Sequence, residues 1–102
     1  LGAYLDTAVI SACGETIPQW FDRLGEHIRL VRFSDGNYNG YRAWNDGCLP
    51  CAQYLKQLTA AHYKGPLALT FPGERYVLDP KKAFSQNIDV IRSHMEDNAW
   101  QR

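Results

Sequence analysis

The chain has 102 residues, enough for one domain with a modest core, and its 45% hydrophobic and 22% charged content is that of a globular rather than a disordered polypeptide. Eleven basic and eleven acidic side chains cancel, and no basic run is interleaved with aromatics, so the sequence carries no electrostatic footprint for nucleic acid or an anionic membrane. No apolar stretch approaches the roughly 18 residues that span a bilayer, and the start lacks the basic and apolar regions of a signal peptide, so a soluble, cytoplasmic protein is expected. The three cysteines are odd in number and unevenly spaced, which favours reduced thiols over a secreted disulfide framework.

In chain order, residues 3–10 (AYLDTAVI) are rich in types that suit a buried strand, and they begin so close to Leu1 that further chain upstream is expected. Thr16 and Gln19 form a T-x-x-Q capping box with Pro18 in the first turn. Ile17, Trp20, Phe21 and Leu24 then mark the apolar face of a helix that Gly25 ends. Residues 27–35 (HIRLVRFSD) read as a second strand, followed by a long polar loop, DGNYNGYRAWNDG. Pro50 suits the first position of a helix in which Leu55, Leu58 and His62 share a face, with Gly65 closing it. Residues 66–71 (PLALTF) predict a third strand. Asp79 and Pro80 form an N-cap and N1 pair for a last helix, with Phe84, Ile88, Ile91 and Met95 at helical spacing.

Strand and helix in alternation imply parallel strands joined by right-handed crossovers, an α/β arrangement of three consecutive βα units in a single domain. The long loops follow strands, so the variable polar segments gather at the strand C-termini, the edge where parallel sheets and barrels build their sites.

The pair Cys48 and Cys51, in NDGCLPC, has three readings. As a redox dithiol it sits badly: Cys48 lies thirteen residues past Asp35, whereas thioredoxin-like dithiols follow their strand almost directly. As half a zinc site it lacks a second pair, because His27, His62 and His94 are isolated in sequence. The remaining reading is a loop cysteine and a first-turn helix cysteine, although a helix N-terminus can lower a thiol pKa and make Cys51 reactive.

The segments YLDT, RLVRFSDG, NDGCLP and GPLALTF, in this order, resemble the C-terminal part of the xylose isomerase-like TIM barrels, and most closely the sugar isomerase and epimerase group that includes tagatose 3-epimerase and fructoselysine 3-epimerase. The resemblance covers residues 3–95 and implies units six to eight of a (β/α)8 barrel. It also implies a divalent metal, Mn²⁺, Mg²⁺ or Co²⁺, held by Glu, Asp, His and Glu from separate strands, which assists proton transfer beside a ketose carbonyl. Asp6 matches the family Asp and is the expected catalytic and metal position. Arg32 falls where the family has His, Thr70 where it has the last Glu, and Val9 where a further His often stands. Only Asp6 of that set remains in this chain, so no bound metal is expected.

A guanidinium cannot ligate a metal, and when turned inward it needs a carboxylate, for which Asp6 is the nearest candidate; an Asp6–Arg32 ion pair is therefore expected. Arg32 is also a candidate for a substrate phosphate or carboxylate. Asp35, Arg42, Asp46 and Glu74 are candidates to line a sugar or sugar phosphate site, with Arg75 beside them, while Trp44, Tyr38 and Tyr41 are candidates to stack on a sugar ring. Each has a structural alternative: solvation of a loop, a strand terminus, or an aromatic pinning the loop in place. Three βα units cannot close a barrel, so free strand edges call for self-association or the rest of a longer chain. Two functions stand open: the C-terminal part of an isomerase or epimerase-like barrel that is inactive by itself, and a thiol redox or non-catalytic assembly module using Cys48 and Cys51.

Overall fold

The computed structural model of the chain describes residues 2–37, 40–70, 76 and 78–97. The first strand, β1 (Ala3–Asp6), is half the expected length, because Asp6 turns the chain into a short helix, α1 (Thr7–Ala12). The Asp6 carboxylate accepts from Ala8 N at 3.0 Å and Val9 N at 3.1 Å, so a capping side chain overrides the β-propensity of TAVI that follows. The Thr16–Gln19 capping box forms and starts α2 (Ile17–Leu24), which ends at Gly25 with φ 49° and passes through a 3-10 turn (Gly25–His27) into β2 (Ile28–Phe33).

The expected polar loop holds structure of its own. It contains an antiparallel hairpin of β3 (Asp35–Asn37) and β4 (Gly40–Arg42), with Asp35 opposite Arg42. The helix α3 (Cys51–Ala60) follows, then β5 (Leu67–Leu69) and α4 (Pro80–Asp97), whose start is capped by Asp79 through Lys82 N at 3.0 Å. The helix α3 stops earlier than Gly65. Its end is a Schellman turn in which His62 N donates to Thr59 O and Tyr63 N to Leu58 O, with His62 itself at φ 61°.

Strands β1, β2 and β5 make one parallel sheet in the order β1-β2-β5, so the chain is mixed α/β with helices between its parallel strands. A register shift lies between Ala3 and Tyr4, where Ala3 pairs with Ile28 but Tyr4 with Leu30. That irregularity moves Ile28 onto the same face as Val31 and Phe33, which explains a buried residue that simple alternation would place outside. Leu5, Ile28, Val31 and Phe33 pack with Ile10, Ile17, Leu55, Leu58 and Ile91 into one core. The other sheet face is different. Tyr4 is 54% exposed, Leu30 and Ala68 are only half-buried, and Leu30 stands outside the core cluster, so among the described residues the helices cover one face alone.

The apolar stripe of α4 is turned from the expected one. Ala83, Asn87 and Ile91 face inward, while Phe84 is 55% exposed. The cause is polar: the Asn87 carboxamide oxygen accepts from Trp44 N and Gln86 Nε2 donates to Trp44 O at 2.7 Å, which fixes the helix rotation against the loop after β4.

Because His62 holds a left-handed backbone that costs an L-residue about 1–2 kcal/mol, and its side chain is exposed, His62→Gly is expected to stabilise the fold by about 0.5–1 kcal/mol after the larger chain entropy of glycine is counted. A urea unfolding midpoint that moves upward with an unchanged slope is the expected readout.

Candidate functional site

Residues at the C-terminal ends of the three parallel strands come together. Asp6 is the register partner of Arg32, and Arg32 that of Ala68, two residues before Thr70. Neighbouring parallel strands in register present paired side chains on the same face, so Asp6 and Arg32 meet at the same depth, while Thr70 lies on that face two residues beyond the level of Arg32 and just past β5. Asp6 and Arg32 form an ion pair with Nη1 to Oδ2 at 3.8 Å, and Arg32 Nη2 donates to Thr70 Oγ1 at 3.2 Å.

The carboxylate is occupied from several sides. Oδ1 caps α1, and Oδ2 accepts from the Tyr41 hydroxyl at 2.6 Å. The Arg32 guanidinium carbon lies 4.8 Å from the centroid of the same Tyr41 ring, a cation–π stack. The hydrogen bond to Asp6 raises the Tyr41 pKa above its ordinary value, helped by burial and by the Asp6 charge and opposed by Arg32. Tyr41 therefore remains a protonated donor at neutral pH. One face of its ring, a candidate for sugar stacking, is taken by Arg32.

Below this cluster two hydroxyls tie the strand ends together. Thr7 Oγ1 donates to Ser34 O at 2.8 Å and accepts from Ser34 N at 2.9 Å, while Ser34 Oγ lies 3.0 Å from Thr70 O. Both residues are fully buried, so these bonds fix strand positions without water.

Asp35 is not presented to a ligand. It is 1% exposed, with Oδ1 accepting from Gly36 N at 2.7 Å and Leu49 N at 2.9 Å, and Oδ2 from Asn45 N and Gly47 N, each at 3.0 Å. It is the organiser of the loop. Asp46 has a similar role at the surface, accepting from Tyr76 Oη at 2.8 Å and Gln86 Nε2 at 3.1 Å. Arg42 is buried, and its Nη1 donates to Tyr41 O at 2.6 Å. Trp44, expected as a stacking platform, is 1% exposed and packs against Phe33 at 4.7 Å between centroids, so a sugar has no access to its ring. The backbone bonds from α4 draw it into the core. Its Nε1 has no hydrogen-bond partner among the described residues. Glu74, with Tyr38 and Arg75, lies outside the described residues.

The cysteine pair is split. Cys48 is exposed with Sγ 3.4 Å from Gly36 O, whereas Cys51 is buried at the start of α3. Burial, with a smaller contribution from the Asp35 charge, pushes the Cys51 thiol up from 9.0 to about 12. Desolvation thus outweighs the helix N-terminus that made a low pKa conceivable, and a thiol that stays protonated is a poor partner in disulfide exchange.

The donor set does not suit a divalent metal. One carboxylate faces a guanidinium and a phenol, neither of which is a hard-cation ligand in these states, and no group of three His, Cys, Asp or Glu that could hold a metal ion occurs among the described residues. No described helix is long and apolar enough to cross a membrane. A groove of about 420 Å³ lined by Val9, Ala12, Gly36, Tyr41, Cys48 and Leu49 adjoins the cluster at the Tyr41 ring. A hollow of about 830 Å³ lies instead at the strand N-termini, around Glu26, Ile28, His62 and Gly65, away from Asp6 and Arg32. Comparison with protein-family models and with curated proteins gives no match to this chain.

Sequence reasoning grouped Asp6, Arg32 and Thr70 and expected the Asp6–Arg32 ion pair, which forms; it named Tyr41 apart from them, as a stacking residue, and the structure brings Tyr41 to the same cluster. What it missed was the link from Tyr41 to Asp6, since a hairpin of three-residue strands inside a Gly- and Asn-rich run gives little alternation to read.

Two tests follow from the loop. A Cβ at position 47 would meet Asp35 Oδ1 and Gly36 O at 2.5 Å and Gly36 N at 2.7 Å. Gly47→Ala is therefore expected to cost about 2 kcal/mol in a denaturant titration, the scale of overpacking at a site that cannot yield. In thiol labelling of the native protein at pH 8, Cys13 and Cys48 are expected to react and Cys51 to be protected until denaturant is added. The sign for stability is also fixed: an unfolded thiol ionises near 9 and the buried one near 12, so the Cys51 contribution is whole below about pH 9 and is lost as pH rises toward 12.

Proposed function

We propose that the chain is the C-terminal part, units six to eight, of a sugar isomerase or epimerase-like (β/α)8 barrel, in which an Asp6–Arg32 ion pair stands where such barrels hold a divalent metal. In this reading the edge formed by Asp6, Arg32, Thr70 and Tyr41 binds a sugar or sugar phosphate without turnover by this chain. Its place of work is the cytoplasm, in keeping with three free thiols.

The observation that carries the reading is the ion pair at matched register. Three adjacent parallel strands deliver Asp6, Arg32 and Thr70 to one C-terminal edge in the order the resemblance requires, with Arg32 at 3.8 Å from Asp6 and 3.2 Å from Thr70. The sheet gives further support: among the described residues the helices cover one face, and on the other Leu30, Arg32 and Ala68 are only half-buried, in keeping with a barrel interior whose other strands are absent. A longer chain or copies of this one would supply those strands. Arg32 donates only, and Asp6 is committed to three donors, so no step of proton transfer is assigned to a metal here. A redox module finds less support, because the buried Cys51 thiol has its pKa near 12.

The double variant Arg32→His with Thr70→Glu tests this ancestry. It replaces the cation by an imidazole and adds a carboxylate, and Mn²⁺ affinity by isothermal titration calorimetry is expected to rise by about tenfold or more, the scale on which ligand-sphere changes act. No gain over the unsubstituted chain would remove the strand alignment on which the proposal stands.

A further inference from the structure

We infer that Arg32 is a preformed seat for the phosphate of a small phosphorylated ligand, an inference that rests on reading this edge as a sugar site and names the group by which the sugar is held. The argument begins with an ion pair that does not close. At 3.8 Å the Arg32 Nη1 to Asp6 Oδ2 separation is attractive but too long for a hydrogen bond. Asp6 has no need of that bond, because Ala8 N, Val9 N and the Tyr41 hydroxyl already donate to it, and their dipoles disperse its charge. Of the five guanidinium N–H groups, one hydrogen bond is made among the described residues, to Thr70. The Arg32 side chain is 36% exposed while Asp6 is 7% exposed, so the cation, and not the carboxylate, faces a ligand.

The fork is also held in place. Its carbon stacks 4.8 Å from the Tyr41 centroid and one arm is tied to Thr70, so little side-chain entropy remains to be lost on binding. Thr70 Oγ1 accepts from Arg32 and keeps its own hydrogen to donate to a ligand oxygen. A fork plus a hydroxyl matches a tetrahedral group with three acceptor oxygens better than a planar carboxylate with two. Charge leads to the same choice. The nearby Asp6 offsets part of the Arg32 charge, and the positive potential that remains at the exposed guanidinium acts about twice as strongly on a phosphate dianion as on a monoanion.

The test titrates the intact 102-residue chain, by ¹H–¹⁵N spectra, with inorganic phosphate, fructose 6-phosphate, fructose and acetate. Phosphate is expected to shift the Arg32 and Thr70 signals and acetate to leave them unmoved. Arg32→Lys keeps the charge but not the fork and is expected to weaken phosphate binding by about tenfold, with Thr70→Val weakening it less; spectra unchanged elsewhere establish that each variant is folded. If Arg32→Lys does not fold, Thr70→Val decides alone. Phosphate shifts that miss these residues, acetate acting as strongly as phosphate, or both variants binding like the parent would each overturn the seat. Fructose binding at these residues without phosphate binding overturns the seat and leaves the sugar reading standing. Phosphate binding there, with fructose 6-phosphate no tighter than phosphate, upholds the seat and removes the sugar reading.

Discussion

The polar edge of this protein hangs on a carboxylate that never meets solvent. Asp35 collects backbone N–H groups from Gly36, Asn45, Gly47 and Leu49, and so folds the segment between β2 and α3 back on itself. Four charge-assisted bonds to one side chain replace the ladder that a longer strand would have offered. From that closure follow the hairpin that carries Tyr41, the inward turn of Trp44, and the start of α3 at Cys51. Each then acts elsewhere: Tyr41 on Asp6, the Trp44 backbone on α4, and Cys51 in the core.

How much of this was legible depends on the range of the interaction. Local signals read well, as the Thr16–Gln19 capping box and the Asp79 cap show, because both partners lie within one helical turn. The Asp6–Arg32 pair was also within reach, since strand periodicity and the cost of an unpaired inward charge select it without coordinates. Three things were not. Asp6 as a helix cap competes with a run of strand-forming residues, and propensity alone favours the strand. The rotation of α4 is set by Asn87 and Gln86 reaching Trp44, more than forty residues away in sequence, and hydrophobic spacing chose Phe84 instead. The fate of Trp44 depends on the same distant bonds.

The cysteine motif shows how context overrules a local rule. A thiol at a helix start is commonly activated, but that effect presumes some exposure and no nearby anion. Cys51 has neither advantage: it is buried, and the Asp35 charge that organises the loop also disfavours a thiolate beside it. The carboxylate that closes the loop therefore also works against a thiolate at Cys51, adding to the larger effect of burial.

Asp6 and Arg32 form one pair but carry unequal burdens. Removing the guanidinium leaves Asp6 with three donors, so the carboxylate stays satisfied and α1 stays capped. Removing the carboxylate instead orphans two amides and a phenol at once and releases the cation from its only neighbouring anion among the described residues. The structural load thus rests on Asp6, and Arg32 is the member of the pair that evolution or design can spend on a ligand. A metal at this position would have demanded the reverse, an Asp6 with free lone pairs and no cation beside it, so these contacts fit the proposed anion-facing edge better than a metal site.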